Sequence, residues 1–370
     1  MITISRMAQQ NTYLEVHWSD GVESRYPWLW LRDHAHDADT LHPVTQQRQL
    51  FTAAIDPAIS AAAVATSGPA VEITWANEST PSVLPVDFLA QYRVPSTPTA
   101  RLNRRPTLWD ASLKSAPSVP YADIMASDDG LVAWLDAVAE YGFAIATDTP
   151  ATAEATEALV RRASYVRETI FGGFWEFTAD LSKADTAYTT LELRPHTDGT
   201  YSHDAPGLQM LHCLGFEGTG GESTMVDGFA IAEELRRNQP EHHQVLSSIA
   251  IPGQYIGDGS HLMAARPVLR HDHTGALVQV SFNNYDRAPL MLPVDEMEAL
   301  YAALRAFDLL ANEPARQWRH VLAPGEAMLF DNWRVLHGRA AYTGTRRMCG
   351  AYLNHEDFES LLRLAQRRHS

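Results

Sequence analysis

Near the N-terminus apolar and polar residues alternate. Tyr13-Leu14-Glu15-Val16-His17-Trp18 changes character at almost every step, Asp20-Gly21 makes a turn, and Arg25-Tyr26-Pro27-Trp28-Leu29-Trp30-Leu31 returns. Alternation at period two places successive side chains on opposite faces of a strand. Val71-Glu72-Ile73-Thr74-Trp75 is a further strand. Residues 1–95 therefore read as a small β-rich domain. Residues 96–128 are rich in proline (Pro98, Pro106, Pro117, Pro120) and read as a linker, with Thr107-Leu108-Trp109 as an apolar anchor. At Ser127-Asp128-Asp129 the period changes. Leu131, Trp134, Leu135, Val138 and Tyr141 recur at helical spacing behind acidic residues suited to a helix N-terminus. Gly142-Phe143-Ala144-Ile145-Ala146 then enters a sheet. Further helices are expected over 151–165, over 230–237 with a stop near Pro240, over 295–312 and over 355–368. The short apolar runs Leu208-Gln209-Met210-Leu211-His212-Cys213 and Ala327-Met328-Leu329-Phe330 read as buried strands. Helices buttressing a barrel-like double sheet over 129–370 make an α+β pattern.

Composition narrows the function. A hydrophobic fraction of 45% supports a substantial core, and a formal charge of -16 argues against nucleic acid or an anionic membrane as partner. Only Cys213 and Cys349 occur, which excludes a disulfide framework and fits a reducing compartment. No apolar signal region and no apolar run of membrane-spanning length appears, so the expected location is the cytoplasm. A homodimer is the expected assembly.

The chemistry sits in Arg194-Pro195-His196-Thr197-Asp198 and Asn332-Trp333-Arg334-Val335-Leu336-His337. On an extended strand His196 and Asp198 share a side, and a distant His337 completes two imidazoles and one carboxylate. Such a set leaves open positions on a metal and suits non-haem Fe(II) that activates O2. Arg346, one strand further on, is placed to fork onto the far carboxylate of a 2-oxo acid, because a guanidinium matches a carboxylate bidentately.

These motifs carry a resemblance. His196-Thr197-Asp198, Pro206-Gly207-Leu208-Gln209-Met210, Gly220-Gly221-Glu222-Ser223, Val226-Asp227-Gly228-Phe229, Phe282-Asn283-Asn284 and Phe330-Asp331-Asn332-Trp333-Arg334-Val335-Leu336-His337-Gly338-Arg339 occur in order and spacing. The stretch from about 165 to 364 resembles the Fe(II)/2-oxoglutarate dioxygenases, and within them the γ-butyrobetaine and trimethyllysine hydroxylases. Trp28-Leu29-Trp30-Leu31-Arg32-Asp33 resembles the domain that precedes the catalytic domain in that family. The loop after it commonly supplies Cys ligands to a structural zinc. The loop from His34 to His42 has none, so it is expected to be a polar surface loop without zinc.

The resemblance implies a double-stranded β-helix, a jelly-roll variant, with His196, Asp198 and His337 on iron and with Arg346 and the Ser223 hydroxyl on 2-oxoglutarate. It implies an aromatic box of Phe171, Trp175, Tyr188 and Tyr352 for a trimethylammonium group. A cation without N–H donors is held by ring faces. For the opposite pole of the substrate the candidates are Asn283, Asn284 and Tyr201, while Asp185 would favour an additional cation. The implied reaction is hydroxylation of a C–H bond with O2, releasing succinate and CO2. The expected substrate is a γ-butyrobetaine-like zwitterion, with trimethyllysine or a trimethylaminoethylphosphonate-type compound as alternatives. Gly199 stands where phosphonate-specific relatives carry Asn, which weighs against the last. A cupin-like metal protein that does not use 2-oxoglutarate is the alternative of another class, and it has no need of Arg346. A halogenase would lack the carboxylate ligand that Asp198 provides.

Overall fold

The computed structural model describes residues 2–95, 106–177, 189–257 and 259–368. The chain divides into two compact units, Met1–Thr99 and Ala100–Ser370.

The smaller unit holds two three-stranded antiparallel sheets, Ile4–Gln9, Tyr13–Trp18 and Glu23–Pro27 in one, and Ala61–Ser67, Ala70–Trp75 and Ser82–Pro85 in the other. The alternation in Tyr13–Trp18 buries Leu14, Val16 and Trp18. These pack with Trp28, Val71, Ile73 and Trp75 in one apolar cluster. Each buried indole keeps its N–H satisfied: Trp18 Nε1 donates to Ser24 Oγ at 2.8 Å and Trp75 Nε1 to Ser82 Oγ at 2.9 Å. The expectation of a strand through Trp28-Leu29-Trp30-Leu31 is corrected here, because Trp28–Asp33 is a helix. Pro27 lacks an N–H for the ladder and ends the strand, and one helical turn puts Trp28, Leu31 and Arg32 on one buried face. In the following loop His34 stacks on Trp30 with ring centroids 4.5 Å apart, His36 lies against Phe88, and His42 Nδ1 accepts from the Val44 and Thr45 amides.

In the larger unit two sheets face each other. One runs Phe174–Phe177, Tyr342–Leu353, Leu208–Gly220, Ala327–Asp331, Phe143–Thr147 and Ser118–Pro120, and the other runs Leu193–His196, Val335–Arg339, Ser223–Asp227 and Gln317–His320. All of these pairs are antiparallel except that of Ser118–Pro120 with Phe143–Thr147. Ile145, Cys213, Met328 and Met348 from the first sheet meet Met225, Trp318 and Val335 from the second in one core. This is the jelly-roll arrangement with helices outside. The helix Asp128–Tyr141 is capped by Ser127, whose Oγ accepts from the Gly130 amide, and it covers the outer face of the first sheet with Leu131, Trp134, Leu135 and Val138. Helices Gly228–Asn238 and Val294–Ala311 cover the second sheet through Ile231, Leu235, Leu300 and Phe307. Pro240 does not simply stop a helix. It stands at the first turn of another, Pro240–Ser248, where its missing N–H costs nothing.

The proline-rich stretch from residue 106 onward is built into this unit. It contributes the Ser118–Pro120 strand and a helix, Tyr121–Ala126. Trp109 is buried, and its indole donates to the Tyr141 carbonyl at 2.5 Å. Beside it Arg334 and Asp227 form a fully buried bidentate pair at 2.8 and 3.1 Å, and Arg334 also donates to the Thr107 and Glu140 carbonyls. Among the described residues no helix is long and apolar enough to cross a membrane.

Candidate active site

His196 is the last residue of its strand, and Asp198 lies two residues beyond. The pair therefore does not share one continuous strand as the alternation suggests. Asn332 holds the turn instead: its Oδ1 accepts the Asp198 amide at 2.8 Å and its Nδ2 donates to the Asp198 and Pro206 carbonyls. Gly199 follows at φ 71°, and a Cβ there would stand 2.5 Å from Pro206 Cδ, so only glycine fits without a shift. His337 faces His196 directly across the ladder.

The three side chains converge. His196 Nε2 lies 3.4 Å from Asp198 Oδ1 and His337 Nε2 lies 3.5 Å from Asp198 Oδ2. One donor atom from each falls within 4.8 Å of the others, the only such metal-competent group among the described residues. His196 Nδ1 donates to the Arg194 carbonyl at 2.8 Å, which fixes the tautomer and leaves Nε2 available to a metal. Burial opposes the charge of Asp198, but the imidazoles, His337 foremost, outweigh it and hold the carboxyl well below the usual range. Burial in turn lowers His337. An ionised carboxylate between imidazoles is the donor chemistry a divalent iron requires.

The triad lines a cavity of about 160 Å³. Arg346 reaches it from the Tyr342–Leu353 strand, where alternation buries Arg346 and exposes Arg347, whose Nη2 pairs with Glu176 Oε1 at 2.5 Å. A bulge opposite, between Cys213 and Gly215, sets this register. Arg346 is 7% exposed, and neither a hydrogen bond nor an ion pair engages its guanidinium among the described residues. Burial, with the neighbouring Arg339 charge, pushes its pKa down to about 10. A buried guanidinium without an acid is a site for an anion. Ser223 lines the same cavity and is buried.

Phe171, Trp175, Tyr352 and Tyr201 also line it. Trp175 and Tyr352 have ring centroids 5.6 Å apart. Trp175 sits over Gly350, where a Cβ would come within 2.2 Å of the indole. Tyr188 and Asp185 lie outside the described residues. Asn283 reaches the cavity, but Asn284 lines a neighbouring one. Neither lies on a strand. The Leu277–Val280 strand stops earlier, and the Tyr285 amide donates to Asn283 Oδ1 at 2.9 Å in a turn that sends the two side chains apart.

The sequence reading missed several lining residues. Gln209 was legible as a polar interruption in an apolar strand. It faces the cavity between Leu208 and Met210, which face the helices, and its buried Oε1 has no hydrogen-bond partner. Asp286 was not singled out. Its Oδ2 accepts from Asn283 Nδ2 at 2.8 Å and from Thr200 Oγ1 at 3.3 Å. Tyr255, from the hairpin strand Ile251–Gly257, extends the aromatic wall, 6.0 Å from Phe171 and 5.3 Å from Tyr201 by ring centroids. Tyr285 and Arg339 complete the lining that matters here.

Comparison with known proteins places this geometry. The model of the taurine catabolism dioxygenase TauD, TfdA family matches residues 103–352. The chain belongs to the TauD/TfdA dioxygenase family. It is an Fe(II)/2-oxoglutarate dioxygenase by that membership, and the model of the gamma-butyrobetaine hydroxylase-like N-terminal domain matches residues 5–90 of this family member. It is 34% identical to a trimethyllysine dioxygenase of Meyerozyma guilliermondii over 95% of this chain and 93% of that one. It is 31% identical to a gamma-butyrobetaine dioxygenase of Pongo abelii, over 96% and 95%. The fold is also that of a taurine dioxygenase from Burkholderia xenovorans, with a TM-score of 0.50 at 15% identity, covering 67% of this chain and 91% of that one.

Proposed function

We propose that this dioxygenase hydroxylates a C–H bond of a trimethylammonium amino acid, trimethyllysine, with His196, Asp198 and His337 holding iron and Arg346 with Ser223 holding the far carboxylate of 2-oxoglutarate. The observation that carries the reaction class is the buried Arg346 guanidinium, without a protein acid, in the same cavity as the triad. A cupin-like protein that does not use 2-oxoglutarate has no use for it. Bound Fe(II) would activate O2, the oxidant, one oxygen atom going to the substrate C–H bond and the other to 2-oxoglutarate, which leaves as succinate and CO2.

The chain's own residues bind, orient and exclude water. The Tyr352 hydroxyl donates to Asp198 Oδ2 at 2.7 Å and the Arg194 carbonyl orients His196, so both ligands are held before a metal arrives. Phe171, Trp175 and Tyr352 offer ring faces to a quaternary ammonium. Asp286 favours trimethyllysine over γ-butyrobetaine. It is a second carboxylate lining the cavity, oriented by Asn283 and Thr200, and its negative charge would attract an ammonium. Trimethyllysine has an α-ammonium to place there and γ-butyrobetaine has none. The names of the relatives agree with either substrate, the trimethyllysine dioxygenase of Meyerozyma guilliermondii being the more similar of the two cited.

An anaerobic titration of the protein with Fe(II) and 2-oxoglutarate tests the reaction class. Chelation gives a weak visible charge-transfer band in the wild type, and the band requires 2-oxoglutarate as well as iron. Iron binding with no band on adding 2-oxoglutarate would overturn the assignment.

A further inference from the structure

A second cavity, of about 400 Å³, shares His196, Asn283 and Tyr285 with the active cavity and opens on their other side. Its lining is basic. Arg194, Arg266, Arg287 and Arg305 contribute to it against one acid, Asp308, which already pairs with Arg194 at 2.8 Å. This runs against the composition of the chain, which has 45 acidic residues to 29 basic ones.

The arginines come from separate elements. Arg266 ends the hairpin strand Ser260–Arg266, Arg287 follows the Asn283 turn and is bridged to Gly253, and Arg305 projects from the helix Val294–Ala311. Among the described residues no carboxylate pairs with Arg266, Arg287 or Arg305. Arg287 lies over the Tyr301 ring, 5.3 Å from its centroid. Arg266 is the most enclosed. Its Nη1 has only long contacts, 3.5 Å to the Gly199 carbonyl and 3.4 Å to Ser281 Oγ, and its Nη2 is buried with no hydrogen-bond partner. Burial and the nearby Arg270 push its pKa down to about 10. A buried N–H left unmade costs the full desolvation of that group, and an oxyanion removes the cost.

We infer that this cavity is a second anion site, distinct from the Arg346 site, and that it takes a small oxyanion of two negative charges, phosphate or a short dicarboxylate. A monoanion would match only one of the three arginines that lack a carboxylate, whereas a dianion offers oxygens to Arg266 in the enclosed part and to Arg287 and Arg305, which are exposed, toward solvent.

Calorimetric titration of the full chain tests this with inorganic phosphate and, separately, succinate, at constant ionic strength set with chloride and without 2-oxoglutarate. Arg346→Ala separates the two cavities. Besides any succinate taken up at the Arg346 site, one saturable event is expected that persists in Arg346→Ala and weakens about ten-fold or more in Arg266→Met and in the double variant Arg287→Ala/Arg305→Ala. Whichever ion gives that event identifies the source. The inference is overturned if neither ion binds beyond the chloride control, or if binding vanishes in Arg346→Ala and survives in Arg266→Met. Should Arg266→Met not fold, the exposed double variant decides, and wild-type affinity there overturns the inference.

Discussion

The Tyr352 hydroxyl donates to Asp198 Oδ2 at 2.7 Å, while the Tyr352 ring lies 5.6 Å from that of Trp175. One side chain therefore touches a carboxylate of the proposed metal triad and would form a wall of the proposed aromatic box. The two roles separate on substitution. Tyr352→Phe keeps the ring and loses the support, and it should weaken Fe(II) retention about ten-fold or more. Tyr352→Leu loses both and should also weaken a trimethylammonium ligand. Equal Fe(II) affinity in wild type and Tyr352→Phe would show that the hydrogen bond does not support the metal site.

Arg346→Ala should raise the 2-oxoglutarate requirement by an amount equivalent to about 2–5 kcal/mol, the cost of leaving a buried charge contact unmade. Arg347→Ala should leave it unchanged, because Arg347 is on the outer face with Glu176. Anaerobic 2-oxoglutarate titrations of both variants at saturating Fe(II) check this. The reverse order would place the wrong arginine in the site.

Gly350→Ala probes the box without replacing any of its rings. The added methyl would stand 2.2 Å from the Trp175 indole and 2.5 Å from the Met210 carbonyl, so the indole must move. Loss of one ring face should weaken trimethyllysine binding roughly 3- to 30-fold. Paired titrations with trimethyllysine and 2-oxoglutarate check it, the latter staying within about two-fold if the effect is local.

His212 gives a pH-dependent stability. It is fully buried, Nδ1 meets Thr156 Oγ1 at 2.7 Å, and Nε2 has no partner, so protonation would bury an unmatched donor. Burial lowers its pKa to about 4, below the value of about 6.5 in the unfolded chain. The neutral form is favoured by folding. Its stabilisation is present above pH about 6.5 and is lost as pH falls toward 4, at up to about 1.4 kcal/mol per pH unit. Denaturant unfolding of wild type and His212→Gln across that window should show the wild type losing stability faster. Parallel curves would contradict the assignment.

The sequence was most informative where spacing and local alternation decide geometry. His196, Asp198 and His337 could be read together, and Arg346 stood out one strand after His337, but the burial pattern of its strand and the bulge opposite decide between it and Arg347. Gln209 was visible as a polar residue in a buried strand, had its face been considered. Turns were less legible. Asn283 and Asn284 look equivalent until the Asn283 side chain caps the Tyr285 amide and turns the chain. Trp28 to Leu31 has the apolar content of a strand or of one helical turn, and the end of the ladder at Pro27 decides between them. Tyr255 reaches the site from a hairpin remote from every motif, which no local pattern announces.

The central claim is tested most directly by succinate release from the Fe(II)-reconstituted wild type, measured with trimethyllysine, γ-butyrobetaine, and lysine as the unmethylated amine. Substrate-dependent succinate should be greatest with trimethyllysine, matched by a hydroxylated product, weak with lysine, and absent in His337→Ala. Succinate release that no trimethylammonium compound raises above the substrate-free rate, or that lysine raises most, would contradict the account.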